Sequence, residues 1–146
     1  MDRWIGKTAV VTGAASGIGQ AITCALLRYG VNVAAIDILN EKLNELKARK
    51  EQQEFPGILE TIWCDVNFEE ELNRAFEQIE TRMKGVDIMV NNAGYCEYSR
   101  VIGNDIIFIF TQNITDKIRF KDFSYLNKCY IYMLFYIYIL TITFFL

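Results

Sequence analysis

From residue 7 to residue 90 the chain alternates short β-branched runs with longer amphipathic stretches. Residues 7–12 (KTAVVT), between Gly6 and Gly13, have the continuous apolar character of a strand buried on both faces. Residues 17–29 place Ile18, Ile22, Ala25, Leu26 and Tyr29 at helical spacing, and Gly30 follows as a C-terminal stop. Residues 31–37 (VNVAAID) read as a second strand. Residues 40–54 read as a polar helix with Leu43 and Leu46 inward, broken at Pro56-Gly57. A third strand covers residues 58–64 (ILETIWC). A third helix, residues 68–83, carries Leu72, Ala75, Phe76 and Ile79 in one stripe, and residues 86–90 (VDIMV) form a fourth strand. This alternation predicts an α/β fold, a parallel sheet with helices on both faces. Right-handed crossovers give the strand order 3-2-1-4.

The pattern stops near Arg100. Residues 1–100 hold 15 acidic and 11 basic side chains but three Phe and three Tyr. Residues 101–146 hold 3 acidic and 4 basic side chains, with ten Ile, seven Phe and five Tyr. A shift of that size predicts a boundary, with one unit over 1–100 and a hydrophobic tail over 101–146. The whole chain, 146 residues at net charge −3, lacks the basic face that nucleic-acid binding needs. It contains no His, which removes a Ser–His triad and His metal ligands. Cys24, Cys64, Cys96 and Cys129 form no C-x-x-C pair, so neither a metal site nor a disulfide framework is expected. The first residues, MDRWIGKTAVV, do not read as a secretory signal, and a reducing, cytoplasmic setting is the expectation.

The chemistry-bearing stretch is Thr12-Gly13-Ala14-Ala15-Ser16-Gly17-Ile18-Gly19, where the first strand meets the first helix. Gly13 allows a tight turn, Gly17 a close approach to a pyrophosphate, and Gly19 close packing of helix on strand. The helix N-terminus then offers N–H groups to phosphate. Asp37 ends the second strand, where a carboxylate can hold both hydroxyls of an adenine ribose. The plainer alternative for Asp37 is a strand-end cap.

The spacing T-G-x-x-x-G-x-G resembles that of the short-chain dehydrogenase/reductases. Asn91-Asn92-Ala93-Gly94 resembles the family's N-N-A-G, and Asp65-Val66 its adenine-contacting pair. The likeness covers roughly residues 5 to 95. It implies a Rossmann-type fold. It also implies a nicotinamide dinucleotide held by Gly13, Ala14, Ala15, Ser16, Gly17, Ile18, Gly19, Asp37, Cys64, Asp65, Val66 and Asn92. Residues 35–42 (AIDILNEK) contain no Arg, so NAD is favoured over NADP. Ser16 is expected to contact phosphate, to cap the helix, or both. Asp65 is expected either to meet the adenine amino group or to cap the next helix. Asn92 is expected beneath the cofactor, with Asn91 tying adjacent strands.

The family's reaction, oxidation of a hydroxyl to a carbonyl by hydride transfer, needs a Tyr and a Lys four residues later. No Tyr-x-x-x-Lys occurs here. Tyr125 and Lys128 are three apart and lack a preceding Ser-bearing strand, so no catalytic residue is assigned. Residues 129–146 are 18 positions without charge, which suits either a read-through end or a membrane anchor. Residues 105–111 (DIIFIFT) have strand character and offer cover for an exposed edge of the fourth strand. The family's dimer-forming helices have no counterpart, so a native-like homo-oligomer is not expected.

Overall fold

In the computed structural model, residues 2–101, 104–111 and 130–133 are described, with side chains described for 2–94. The ordered alternation is present: β1 (Thr8–Thr12), α1 (Gly17–Arg28), β2 (Asn32–Asp37), α2 (Asn40–Gln52), β3 (Leu59–Trp63), α3 (Glu69–Met83) and β4 (Ile88–Asn91). Each element begins and ends within two residues of its sequence expectation. The strands pair in parallel in the expected order, β3-β2-β1-β4.

Strand alternation divides the core into two layers. Ala9, Val11, Val33, Ala35, Ile88 and Val90 face α1 and α2, meeting Cys24, Leu27, Leu43 and Leu46. Val10, Ala34, Ile36 and Met89 face the other way, meeting Leu72, Ala75 and Ile79 of α3. All five residues of β1 are buried, as a central strand covered on both faces requires. Truncating Leu27, fully buried beneath α1, to Ala is expected to cost about 3 kcal/mol of stability, read by urea denaturation.

Three further strands follow: β5 (Gly94–Val101), β6 (Asn104–Thr111) and β7 (Tyr130–Met133). The strand expected over residues 105–111 is present within β6, but it does not cover β4. It pairs antiparallel with β5, from Gly94↔Thr111 to Val101↔Asn104. The open edge of β4 is taken by β7, in parallel, from Ile88↔Tyr130 to Asn91↔Met133. Chain connectivity explains the difference. An antiparallel partner lies just beyond a short turn, whereas a parallel partner needs a crossover of a dozen or more residues. Residues 92–129 supply that length for β7. Within the stretch 129–146, weighed above as a membrane anchor, Tyr130–Met133 is thus a strand of this sheet, and the other positions lie outside the described residues. No helix among the described residues is long and apolar enough to cross a membrane.

Candidate cofactor site

The carboxyl ends of β1, β2 and β4 meet around the turn over residues 13–19. The turn depends on glycine for two separate reasons. At Gly19 a side chain has no room, because a Cβ would overlap the carbonyl of Gly13 and crowd the Asn92 amide. At Gly17 the backbone is left-handed, φ +51, and nothing stands within 4 Å of where a Cβ would be. One glycine packs the helix onto the strand, and the other presents bare backbone to open space.

Ser16 occupies the N-cap position of α1 in extended geometry, but its hydroxyl makes no capping hydrogen bond. The capping half of the expectation is thus corrected, and the exposed hydroxyl has no duty to the helix. Ala14 and Ala15 are fully buried behind the turn. Ile18 is exposed on the first turn of α1.

Asp37 lies beside this turn. Its Oδ2 accepts the Ala15 N–H at 2.9 Å and its Oδ1 accepts the Leu39 N–H at 3.0 Å. The side chain is buried. An ionised carboxylate has about four acceptor positions. Two are engaged by backbone amides, which fix the group and leave acceptor capacity at the strand end.

Asn92 is drawn to the same place. Its Nδ2 donates to the carbonyls of Thr12 at 3.0 Å and Gly13 at 3.1 Å. The Thr12 hydroxyl accepts the N–H groups of Asn92 at 3.1 Å and Ala93 at 3.0 Å. The strand-tying part expected of Asn91 is therefore taken by Asn92. Asn92 ties β4 to β1, while the buried side chain of Asn91 has no hydrogen-bond partner among the described residues. The reason is local. Asn91 is still in the strand, on the same face as Met89, and only Asn92 leaves the ladder to turn toward Thr12. The central part of Thr12 went unread in the sequence, although a hydroxyl closing a strand just before the glycine turn was its signal.

The remaining candidates lie past the end of β3. The Cys64 side chain points into the α3 layer among Val10, Ile36 and Leu72, so only its backbone faces the strand end. Its N–H donates to the Asp37 carbonyl at 3.1 Å. Burial, then Glu71 and Asp65, push the thiol up from 9.0 to about 11. The unfolded chain therefore releases this proton near pH 9 and the folded chain does not. Stability should fall as pH rises from 9 toward 11. Urea midpoints at pH 8 and pH 10 should show it, and Cys64→Ala should flatten the decline.

Asp65 Oδ1 accepts the Asn67 N–H at 2.9 Å and Asn67 Nδ2 at 2.7 Å, while the Asp65 N–H donates to Glu71 Oε2 at 2.8 Å. These bonds build the turn that leads into α3, but Asp65 does not cap the helix: the N-cap position is Phe68, without a side-chain cap, so the capping expectation is corrected. Val66 packs partly buried against the α3 layer. Beside Asp37, Ile38, Leu39 and Trp63 are 54%, 47% and 54% exposed, and the Trp63 indole donates to the Ile38 carbonyl at 3.0 Å. This apolar rim was not singled out in the sequence. Tyr125 and Lys128 lie outside the described residues.

Against known proteins, the family model described as short chain dehydrogenase matches residues 7–122. The chain belongs to the short-chain dehydrogenase family. Farnesol dehydrogenase of Aedes aegypti is 43% identical over 105 residues, 72% of this chain and 42% of that protein. The NAD(+)-named 15-hydroxyprostaglandin dehydrogenase of Rattus norvegicus is 43% identical over 89 residues, 61% of this chain and 34% of that one. Among solved structures, L-sorbose reductase of Gluconobacter frateurii complexed with NADPH and L-sorbose superimposes with a TM-score of 0.62. It is 30% identical and the match covers 69% of this chain and 38% of that one. The chain thus spans less than half the length of these short-chain dehydrogenases. A nicotinamide dinucleotide is the cofactor class of the family, and the 13–19 turn suits one: Gly17 leaves open space where a pyrophosphate would lie, and the Ser16 hydroxyl is uncommitted.

Proposed function

We propose that this chain is the cofactor-holding part of an NAD-linked short-chain dehydrogenase whose reaction oxidises a hydroxyl to a carbonyl. The single observation that carries the reading is the Asp37 carboxylate, anchored by the Ala15 N–H at the lip of the glycine turn. When bound, NAD supplies the hydride acceptor. The backbone over residues 13–19 and the Ser16 hydroxyl would bind its phosphates, and Asp37 would accept the ribose hydroxyls. Asp65 and Val66 would border the adenine, and Asn92 would hold the floor by joining β4 to β1. The negative charge of Asp37 would repel a 2′-phosphate at hydrogen-bond range. The segment over residues 35–42 brings no Arg to offset it. Calorimetric titration with NAD and NADP tests this. Tighter binding of NAD supports the reading, and tighter binding of NADP rejects it.

A second reading is favoured by the sequence itself: a non-catalytic cofactor-binding module tethered to a membrane or a partner through its C-terminal tail. The supporting observation is that no Tyr-x-x-x-Lys occurs in the 146 residues. Holding the ADP half of a cofactor gives no stabilisation to the transition state at the nicotinamide. Purified chain should therefore reduce no NAD with secondary alcohols, followed at the NADH absorbance. Turnover that Tyr125→Phe abolishes would restore the three-residue Tyr/Lys spacing as a catalytic pair. Recovery of the chain in the soluble fraction without detergent would reject the tether.

A further inference from the structure

The side-chain amide of Gln20, on the first turn of α1, reaches back to the glycine turn and outward to the neighbouring helix. Its Nε2 donates to the Ala15 carbonyl at 3.2 Å. Its Oε1 accepts from Nη1 of Arg49, on α2, at 3.3 Å. Ala15 is also the residue whose N–H donates to Asp37 Oδ2 at 2.9 Å. One residue is thus held through both of its flanking peptides: Gln20 takes its carbonyl, in the Ala15–Ser16 peptide, and Asp37 takes its N–H, in the Ala14–Ala15 peptide.

The chemistry of the two neighbours selects an amide at position 20. The Arg49 guanidinium can only donate, and the Ala15 carbonyl can only accept. A primary amide has one end of each kind. Arg49 on the oxygen therefore sets the nitrogen toward Ala15, and a side chain free to spin becomes an oriented donor. Gln20 itself is half-buried, while Ala15 is fully buried.

We propose that Gln20, braced by Arg49, is a positioning residue for Asp37. It fixes the Ala15–Ser16 peptide and through it the Ala15 Cα, which keeps the preceding N–H on the carboxylate, and so fixes the group that separates a ribose hydroxyl from a 2′-phosphate. This rests on the NAD reading given above. Without the brace the Ala15–Ser16 peptide can turn, the Ala15 Cα shifts with it, and one of the two anchors of Asp37 loosens. A carboxylate that swings makes poorer bonds to the ribose hydroxyls and stands less squarely against a 2′-phosphate. Both the affinity for NAD and the preference for NAD over NADP then fall. A merely structural part for Gln20, acting on the phosphate cradle, would weaken both dinucleotides alike and leave their ratio unchanged.

The test uses the full chain and calorimetric titration with NAD and with NADP. The variants are Gln20→Met, close in shape and without hydrogen-bonding groups, and Gln20→Asn, an amide too short to bridge. Neither changes the net charge. Each is expected to weaken NAD about fivefold, the effect of one lost hydrogen bond, and to narrow the NAD-to-NADP ratio. Either variant suffices if the other does not fold. A wild-type ratio in the folded variant overturns the proposal. Asp37→Ala separates the two failures. If wild-type chain prefers NAD and Asp37→Ala abolishes that preference while Gln20 variants retain it, the positioning part alone is wrong. If wild-type chain prefers NADP or binds neither, or if Asp37→Ala keeps the wild-type ratio, the NAD reading falls and takes this proposal with it.

Discussion

Asp37→Ala is expected to weaken NAD binding about thirtyfold. That corresponds to about 2 kcal/mol, the usual worth of hydrogen bonds to a charged acceptor. The same substitution removes the acceptor for the Ala15 and Leu39 amides, so stability should fall as well, by about 2 kcal/mol in urea denaturation. Asp37→Asn distinguishes hydrogen bonding from charge. Its carbonyl can still accept, so NAD affinity should fall less than in the Ala variant. The repulsion of a 2′-phosphate disappears with the charge, so NADP should bind more tightly than to wild type. Unchanged NAD affinity in Asp37→Ala would show that this carboxylate does not hold the ribose.

The second large effect is expected at Gly19. A methyl group there collides with the Gly13 carbonyl, and the neighbouring Asn92 amide leaves no direction for relief. Backbone must move, at a cost of about 3 kcal/mol, and the turn that would hold the phosphates moves with it. Gly19→Ala should therefore lose both stability and NAD binding. Gly17→Ala is the contrast. It places a methyl in open space at φ +51, for about 1 kcal/mol of backbone strain. The methyl then stands where the pyrophosphate would approach, so binding should fall much more than stability. Equal behaviour of the two variants in thermal melts and NAD titrations would contradict the separate duties assigned to these glycines.

The parts of this fold that local physics decides were legible in the sequence. β-branched runs buried on both faces, helical stripes and glycine stops placed β1 to β4 and α1 to α3 within two residues, and chirality ordered the strands. The strand–turn–helix context and the acidic end of β2 brought Asp37 to the glycine turn. What was hidden depends on pairings that no period reports. β7 joins β4 across a long connection, and nothing in Tyr130–Met133 marks it as a parallel partner of Ile88–Asn91. The strand-tying part was read onto Asn91 and not Asn92 because neighbouring residues at a strand end face opposite ways, and the position of the last ladder residue decides which one turns. The direction of the Ser16 hydroxyl is a rotamer choice, on which an N-cap preference is silent. Nothing in the sequence singles out Gln20, since its bridge exists only once α2 brings Arg49 alongside.

The proposed NAD-linked function requires that the carboxyl ends of β1 to β4 hold the ADP half of a dinucleotide. Titrating isotopically labelled chain with ADP-ribose, followed by amide chemical shifts, tests it most directly. The expected result is saturable shifts concentrated at residues 13–19, at Asp37 to Leu39, at Asp65 and Val66, and at Asn92, and lost in Asp37→Ala. Saturable shifts confined to other faces of the sheet, or none at millimolar ADP-ribose, would contradict it.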